Sequence, residues 1–473
     1  MTNTKTFPGS ARELLIIALP MMASNACDTV MTFTDRMFLS KLGTAQMNAA
    51  LGGGMTCFMM VTFFVGLIGY GTALVAQYYG AGQKRNCTVV VTQTLILSVL
   101  AYPIILMLSP LARAMFRASG IAPEQLAPQT LFFNILIYAT IISLMRSALA
   151  CFFSGIGRTR IVMISSLTAM AVNVIANYIL VLGRFGCPSM GIRGAAYGTI
   201  LGGACSLLIM IVAYFGGRTS RDFGLGSSFR FDLDIMKRLL RYGCPGGVEF
   251  FLNLAAFNVM IMLFHSCGER VATAATITFN WDMVAFVPLI GIEIAVSSLV
   301  GRYMGARKPD YAHRVTVSGL KIGSVYSGAM FVMFVLFPVA LVNVFRPDAH
   351  GAVFAEALPL SLFMTRLIAV YVFFEAVMVA FCGALRGAGD TFWAMYTSVS
   401  LHWLIVAILA VMLKVLHTSP EAAWVTMIAW FMLFSLVFWL RYRSGKWRHI
   451  RVIHNPTEDQ VPLREGFHET ADI

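Results

Sequence analysis

The chain has 473 residues, of which 58% are hydrophobic and only 12% charged, and its formal net charge is +13. A soluble domain carries about 25% charged residues, so this balance excludes a water-soluble enzyme or binding module and leaves a protein whose main solvent is lipid. The surplus of Lys and Arg calls for no nucleic-acid partner, because basic residues flanking membrane spans and facing anionic lipid account for it.

Apolar windows of about 20 residues, each able to cross a bilayer as a helix, follow one another along the chain. They predict spans at 13–39, 46–77, 88–110, 129–154, 160–183 and 194–216, and again at 238–266, 271–304, 315–343, 359–385, 391–416 and 420–441. The first is too long for a signal-peptide core and has no small-residue cleavage site, which predicts an uncleaved first helix. Gly217 to Asp234 is polar and carries Arg218, Arg221 and Arg230 among Gly and Ser. The expected division is a six-helix lobe over 1–216, a cytoplasmic linker over 217–235, a second six-helix lobe over 236–441 and a cytoplasmic tail over 442–473. That tail is basic at first (Lys446, Arg448, Arg451) and then acidic (Glu458, Asp459, Glu465, Glu469), the pattern of a solvated terminus. Most of the 35 Lys and Arg fall in the N-terminus, the even-numbered loops and the tail. By the positive-inside rule both termini are expected in the cytoplasm. The nine cysteines are scattered without a CxxC pair, as expected of small, reduced apolar residues.

The second half repeats the first at an offset of 225 positions. Val75-Ala76-Gln77-Tyr78-Tyr79-Gly80-Ala81 returns as Val300-Gly301-Arg302-Tyr303-Met304-Gly305-Ala306, and Leu19-Pro20 returns as Cys244-Pro245. Repeated halves in a membrane point to a transporter with its substrate site between two lobes. The chain has no GxxxxGK(S/T) loop to hold nucleotide phosphates and no HExxH, which argues against an ATP-driven pump or a zinc protease. Gly155-Ile156-Gly157 and Gly387-Ala388-Gly389 each join two apolar segments, so they read as helix-to-helix turns and not as dinucleotide sites.

Those turns carry a family resemblance. Gly383-Ala384-Leu385-Arg386-Gly387-Ala388-Gly389-Asp390-Thr391 resembles the G-A-L-R-G-x-G-D-T signature of multidrug and toxic compound extrusion (MATE) transporters, with Ser154-Gly155-Ile156-Gly157-Arg158-Thr159 as its first-half counterpart. Gln77 to Gly82 resembles the family's Q-x-x-G-A-G segment, and Gly191 to Thr199 resembles its G-x-x-G-A-A-x-x-T block. Together these blocks cover about 13–441. The resemblance implies an all-α integral membrane fold of twelve transmembrane helices, in two repeated six-helix lobes around a central cleft. It further implies a monomeric plasma-membrane antiporter, in the inner membrane if bacterial, that is not an enzyme and has no cofactor beyond Na⁺ or H⁺ as coupling ion.

Acids inside spans are the candidate working residues, since a charge in lipid is costly. Asp28, Asp35, Glu249, Asp282, Glu293 and Glu375 qualify. Asp28 and Asp35 are seven apart and share a helix face. Asn173 and Asn177, four apart, offer amide oxygens, and Thr199 offers a hydroxyl, a donor set that suits a hard cation such as Na⁺. The alternative for Asp35 is a local charge beside Arg36. The resemblance implies a first-lobe cation site at Asp35, Asn173, Asn177 and Thr199, with Asn177 standing where several relatives have a second aspartate. It also implies an acid at Glu375 in a second-lobe site, with the seventh-helix acid at Glu249 or, one turn deeper, at the place of Asn253. The alternative for Glu375 is a structural pairing with Arg366. Asp28, Asn253, Asp282 and Glu293 are expected to line the substrate cleft, and His265 and His402 read as uncommitted polar residues.

The 36 Phe and 29 Met would give a cleft an adaptable apolar surface suited to several bulky organic cations. The function expected is cation-coupled export of such cations, with only small molecules and membrane lipids as partners. The alternative is a flippase for lipid-linked saccharide from the same wider superfamily, which would need cationic residues for pyrophosphate. Among the span residues Arg36, Arg146 and Arg366 are the candidates for that role. An ion channel or receptor fits a repeated two-lobe chain poorly.

Overall fold

A computed structural model describes residues 7–118, 123–346 and 352–453, and every regular element among them is helical. The first half comprises α1 (Ala11–Ser40), α2 (Thr44–Gly69), α3 (Gly71–Gly80), α4 (Lys84–Ala118), α5 (Pro123–Tyr138), α6 (Thr140–Gly155), α7 (Thr159–Leu180) and α8 (Ile192–Phe215). A short α9 (Gly217–Phe223) leads to the second half. This comprises α10 (Leu233–His265), α11 (Glu269–Gly305), α12 (Pro309–Leu336), the short α13 (Pro338–Asn343), α14 (Ala352–Ala388), α15 (Thr391–Ala410) and α16 (Pro420–Arg443).

Helix starts follow from local chemistry. Ser10 Oγ accepts from the Glu13 amide at 3.3 Å while Glu13 Oε2 accepts from the Gly9 amide at 2.8 Å, a reciprocal cap on α1. Asp232 caps α10 through the Ile235 amide at 3.1 Å. Ser419 caps α16, where Pro420 occupies the first helical position.

Eleven helices among the described residues are long and apolar enough to cross a membrane, and α5 with α6, bent by 45°, make a twelfth span. The chain therefore has the twelve-helix, two-lobe fold. Four details depart from the hydropathy reading. The fourth span is broken at Ala139 instead of running straight through 129–154. The second is divided at Tyr70 into α2 and α3. In the ninth the helix stops at Leu336 and α13 completes the stretch. The linker is also more than a solvated strap: Phe223 and Leu225 are buried in the first-half core. Ser228 Oγ lies 2.6 Å from Thr88 Oγ1, and Gln93 Nε2 donates to the Arg230 carbonyl at 2.8 Å, so the linker is docked on α4. The acidic tail residues Glu458, Asp459, Glu465 and Glu469 lie outside the described residues.

Each half has an aromatic core. Phe152 meets Phe153, Tyr214 and Phe223 edge-on in the first, and Trp424 meets Phe264 and Phe279 edge-on in the second. Edge-to-face rings place positive ring edges on negative faces. Met107, Leu111, Met262, Val325 and Leu336 stand exposed on the outer faces, where lipid would cover them.

The halves meet along α1 against α11, α2 against α10 and α3 against α11. At one end of this seam the sequence repeat becomes a physical crossing. A methyl group on Gly80 would run into the Arg302 carbonyl, and one on Gly305 would run into the Gln77 carbonyl. The two repeated segments touch backbone to backbone through equivalent positions, a contact only glycine permits. Gln77 Nε2 donates to the Gly387 carbonyl at 2.9 Å, Arg302 lies 5.0 Å from the Tyr79 ring, and the Tyr303 hydroxyl donates to Glu13 Oε2 at 2.8 Å.

Candidate functional site

In the first half α7 packs between α1 and α8. Asn173 and Asn177, one turn apart on α7, reach Asp35 on α1 together with Thr199 on α8. Asp35 Oδ1 accepts from Asn173 Nδ2 at 3.0 Å and from Asn177 Nδ2 at 2.5 Å, and Oδ2 accepts from the Thr199 hydroxyl at 2.9 Å. Asn173 and Asn177 are fully buried and Asp35 is 8% exposed. Protein donors thus replace water around both carboxylate oxygens, without which a charge in an apolar surround would be prohibitive. The geometry joins the four residues Asp35, Asn173, Asn177 and Thr199.

Asn177 Oδ1 is buried with no hydrogen-bond partner. An unpartnered amide oxygen beside a carboxylate is an acceptor waiting for a donor or a cation. With the amides turned, Asn173 and Asn177 would offer oxygens and Thr199 a third, around one carboxylate. No cluster of three or more His, Cys, Asp or Glu occurs among the described residues, so a cation here would rest on one carboxylate and neutral oxygens, a set that suits Na⁺ better than a transition metal.

Asp28, on the same face of α1, is half-exposed and lies 3.5 Å from Arg146 of α6. The two aspartates share a face yet not an environment: one is sealed among amides, the other is open and paired.

The second half separates its acids into two groups. Glu249 on α10 and Glu293 on α11 converge on Arg386 at the end of α14, at 3.1 Å and 2.5 Å. One guanidinium therefore holds two carboxylates. Glu375 on α14 takes a hydrogen bond from the Tyr371 hydroxyl at 2.9 Å, one turn earlier on the same helix, in place of the pairing with Arg366. Asp282 on α11 interacts electrostatically with Glu375 and is 8% exposed. Asp282 Oδ1 and Glu375 Oε2 are both buried without a hydrogen-bond partner. Asn253, one turn after Glu249 on α10, donates to Ser398 Oγ at 2.7 Å. His265 contacts Thr276 at 3.0 Å and His402 contacts the Ser398 carbonyl at 2.9 Å.

Of the residues expected to line the cleft, Asp282 is buried and Glu293 is half-buried against Arg386. Sequence reasoning left Arg386 and Tyr371 without a role. The signals were present: an arginine in the signature turn of a half whose span acids need a counter-charge, and a tyrosine one turn before Glu375.

The sequence matches the MatE family over residues 20–179 and 245–412, the two halves of the repeat. It is 25% identical over 450 residues to the probable multidrug resistance protein NorM of Thermotoga maritima, covering 94% of this chain and 95% of that one. It is 26% identical over 396 residues to the multidrug resistance protein PmpM of Pseudomonas aeruginosa, covering 83% and 81%. Among solved structures, an outward-facing multidrug resistance MATE transporter superposes with a TM-score of 0.82 at 20% identity over 94% of this chain and all of that one. A transporter of the MOP superfamily from Pyrococcus furiosus also gives 0.82, at 19% identity over 93% and 97%.

Proposed function

The chain belongs to the MatE family of transporters, and on that premise we propose that it exports organic cations in exchange for Na⁺ or H⁺ by alternating access of two lobes. The lobes are 1–216 and 236–441, joined by the linker 217–235, with both termini and the tail 442–473 in the cytoplasm of a plasma membrane. The observation that carries this reading is the Asp35 carboxylate, sealed among Asn173, Asn177 and Thr199 with one amide oxygen left without a partner. A proton or Na⁺ arriving there removes the negative charge that the two amides and the hydroxyl now solvate. Their hydrogen bonds must then rearrange, which couples ion binding to the packing of α1 on α7 and α8. An ion can bias two lobe arrangements only by binding them unequally, and a site built from three helices provides that inequality.

Glu375 with Asp282 is a second coupling site in this reading. Two buried carboxyls that repel one another are hard to charge together without a counter-ion, and Arg386 is already engaged by Glu249 and Glu293. Glu375→Gln is expected to weaken ion-driven export several-fold while the protein still reaches the membrane. Unchanged export would make this pair structural.

Organic cations are favoured over a lipid pyrophosphate because part of the positive charge inside the spans is already matched by acids. Arg146 is paired with Asp28 and Arg386 with two glutamates. Binding of an ethidium-like dye, followed by fluorescence anisotropy, is expected to weaken in Asp28→Asn combined with Glu375→Gln, far more than binding of a neutral analogue of equal size. The flippase reading requires the reverse, with Arg146 and Arg366 governing binding of a lipid pyrophosphate and the acids hardly mattering. For orientation, a cysteine placed at the exposed Arg221 should react with an impermeant maleimide only from the cytoplasmic side. Reaction only from outside would overturn the topology.

A further inference from the structure

The segment after α16 does not leave the protein. Gly445, with φ +70°, turns the chain, and a 3₁₀ turn over Lys446–His449 buries Trp447 to 1% exposure. The Trp447 ring stacks on Tyr442 at 5.0 Å, and its Nε1 donates to the Tyr442 carbonyl at 3.0 Å. Tyr442 is itself fixed in the second lobe by His313 at 2.9 Å and by the Phe381 ring at 4.9 Å. Arg448 adds an ion pair to Asp310 at 3.6 Å.

From this anchor the chain runs to the seam between the lobes. Val452 is 5% exposed and belongs to the apolar cluster of Tyr70, Leu74, Tyr78, Phe152 and Leu239, with Ile450 and Ile453 packed beside it. Gly389 lies directly under the crossing: a methyl there would collide with Val452, and Ile450 is 3.3 Å away. Along the way the segment walls a cavity together with Gln77 and Gly305, the residues at which the two repeats cross. One short segment is thus anchored on the second lobe by Trp447 and carries Val452 into an apolar cluster that joins first-lobe residues to Leu239 of α10, over the end of the seam that must part if this face is to open.

We propose that residues 446–453 are a latch that holds this end of the lobe seam shut, and that Val452 must leave its pocket before the lobes separate there. The idea rests on the alternating-access reading. It makes the segment a determinant of which face is open and not a passive tail.

The test measures distance, not transport. Spin labels at Lys84 and Lys308, both exposed and shortly after the two crossing segments, report the seam by pulsed electron resonance in a cysteine-depleted background. The unaltered protein and Val452→Ile should give mainly one short distance. Val452→Asp, and independently a chain ended after Gly445, should move at least half of the population to a longer one. If both altered proteins keep only the short distance, while ions or dye do produce the long one in the unaltered protein, the latch is wrong and alternating access stands. A single distance in every protein and every condition overturns both.

Discussion

Asp35→Asn is expected to cut ion-driven export of a lipophilic cation by about tenfold or more, with normal amounts of folded protein in the membrane. The substitution keeps the shape of the side chain and an acceptor for the Asn173 and Asn177 amides, and it deletes only the charge. Hydrogen bonds to a charged group contribute about 1.5–3 kcal/mol each, and about 1.4 kcal/mol is a factor of ten in an equilibrium. Losing the charged character of even one of the three contacts around Asp35 is enough to produce that loss. Downhill leak of the same cation need not change, because the carboxylate is sealed away from the open face where Asp28 lies. Wild-type export in Asp35→Asn, measured in everted vesicles, would reduce the cluster to a structural role.

The second large effect concerns folding. Arg386→Met leaves Glu249 and Glu293 buried without their shared cation. Breaking a buried ion pair from one side costs about 3–5 kcal/mol. Arg386 is itself about a third open, at 32% side-chain exposure, so the lower end of that range applies. A lower melting temperature and reduced yield are the expected results. Adding Glu249→Gln and Glu293→Gln to Arg386→Met should recover most of the loss, because no charge is then stranded. A triple variant no more stable than Arg386→Met would show that the arginine acts through packing and not through its two acids.

The first-half site was legible because its parts announce themselves locally. Asn173 and Asn177 sit one turn apart in an apolar span, and an aspartate and a threonine in neighbouring spans can hardly face lipid. The second half was less legible for a physical reason. Whether Glu249, Glu293 or Glu375 is neutralised depends on which of them Arg386 reaches, and that is set by how α10, α11 and α14 pack, not by spacing along any one helix. Asp282 shows the same limit: it is buried and interacts electrostatically with Glu375, a pairing between α11 and α14 that spacing along one helix does not reveal. Hydropathy found all twelve crossings but could not see the bend at Ala139, where the helical pattern continues across a change of direction. Nor could composition show that a polar, arginine-bearing linker would bury Phe223 and Leu225, or that Trp447 and Val452 at the start of the tail would be buried.

The most direct test of ion-coupled export is uptake of a fluorescent lipophilic cation by everted vesicles, with a Na⁺ gradient and a pH gradient imposed separately. At least one gradient should drive the dye inward against its own concentration, and Asp35→Asn should abolish that uphill component. Uptake that only equilibrates, whatever gradient is imposed, would contradict the account.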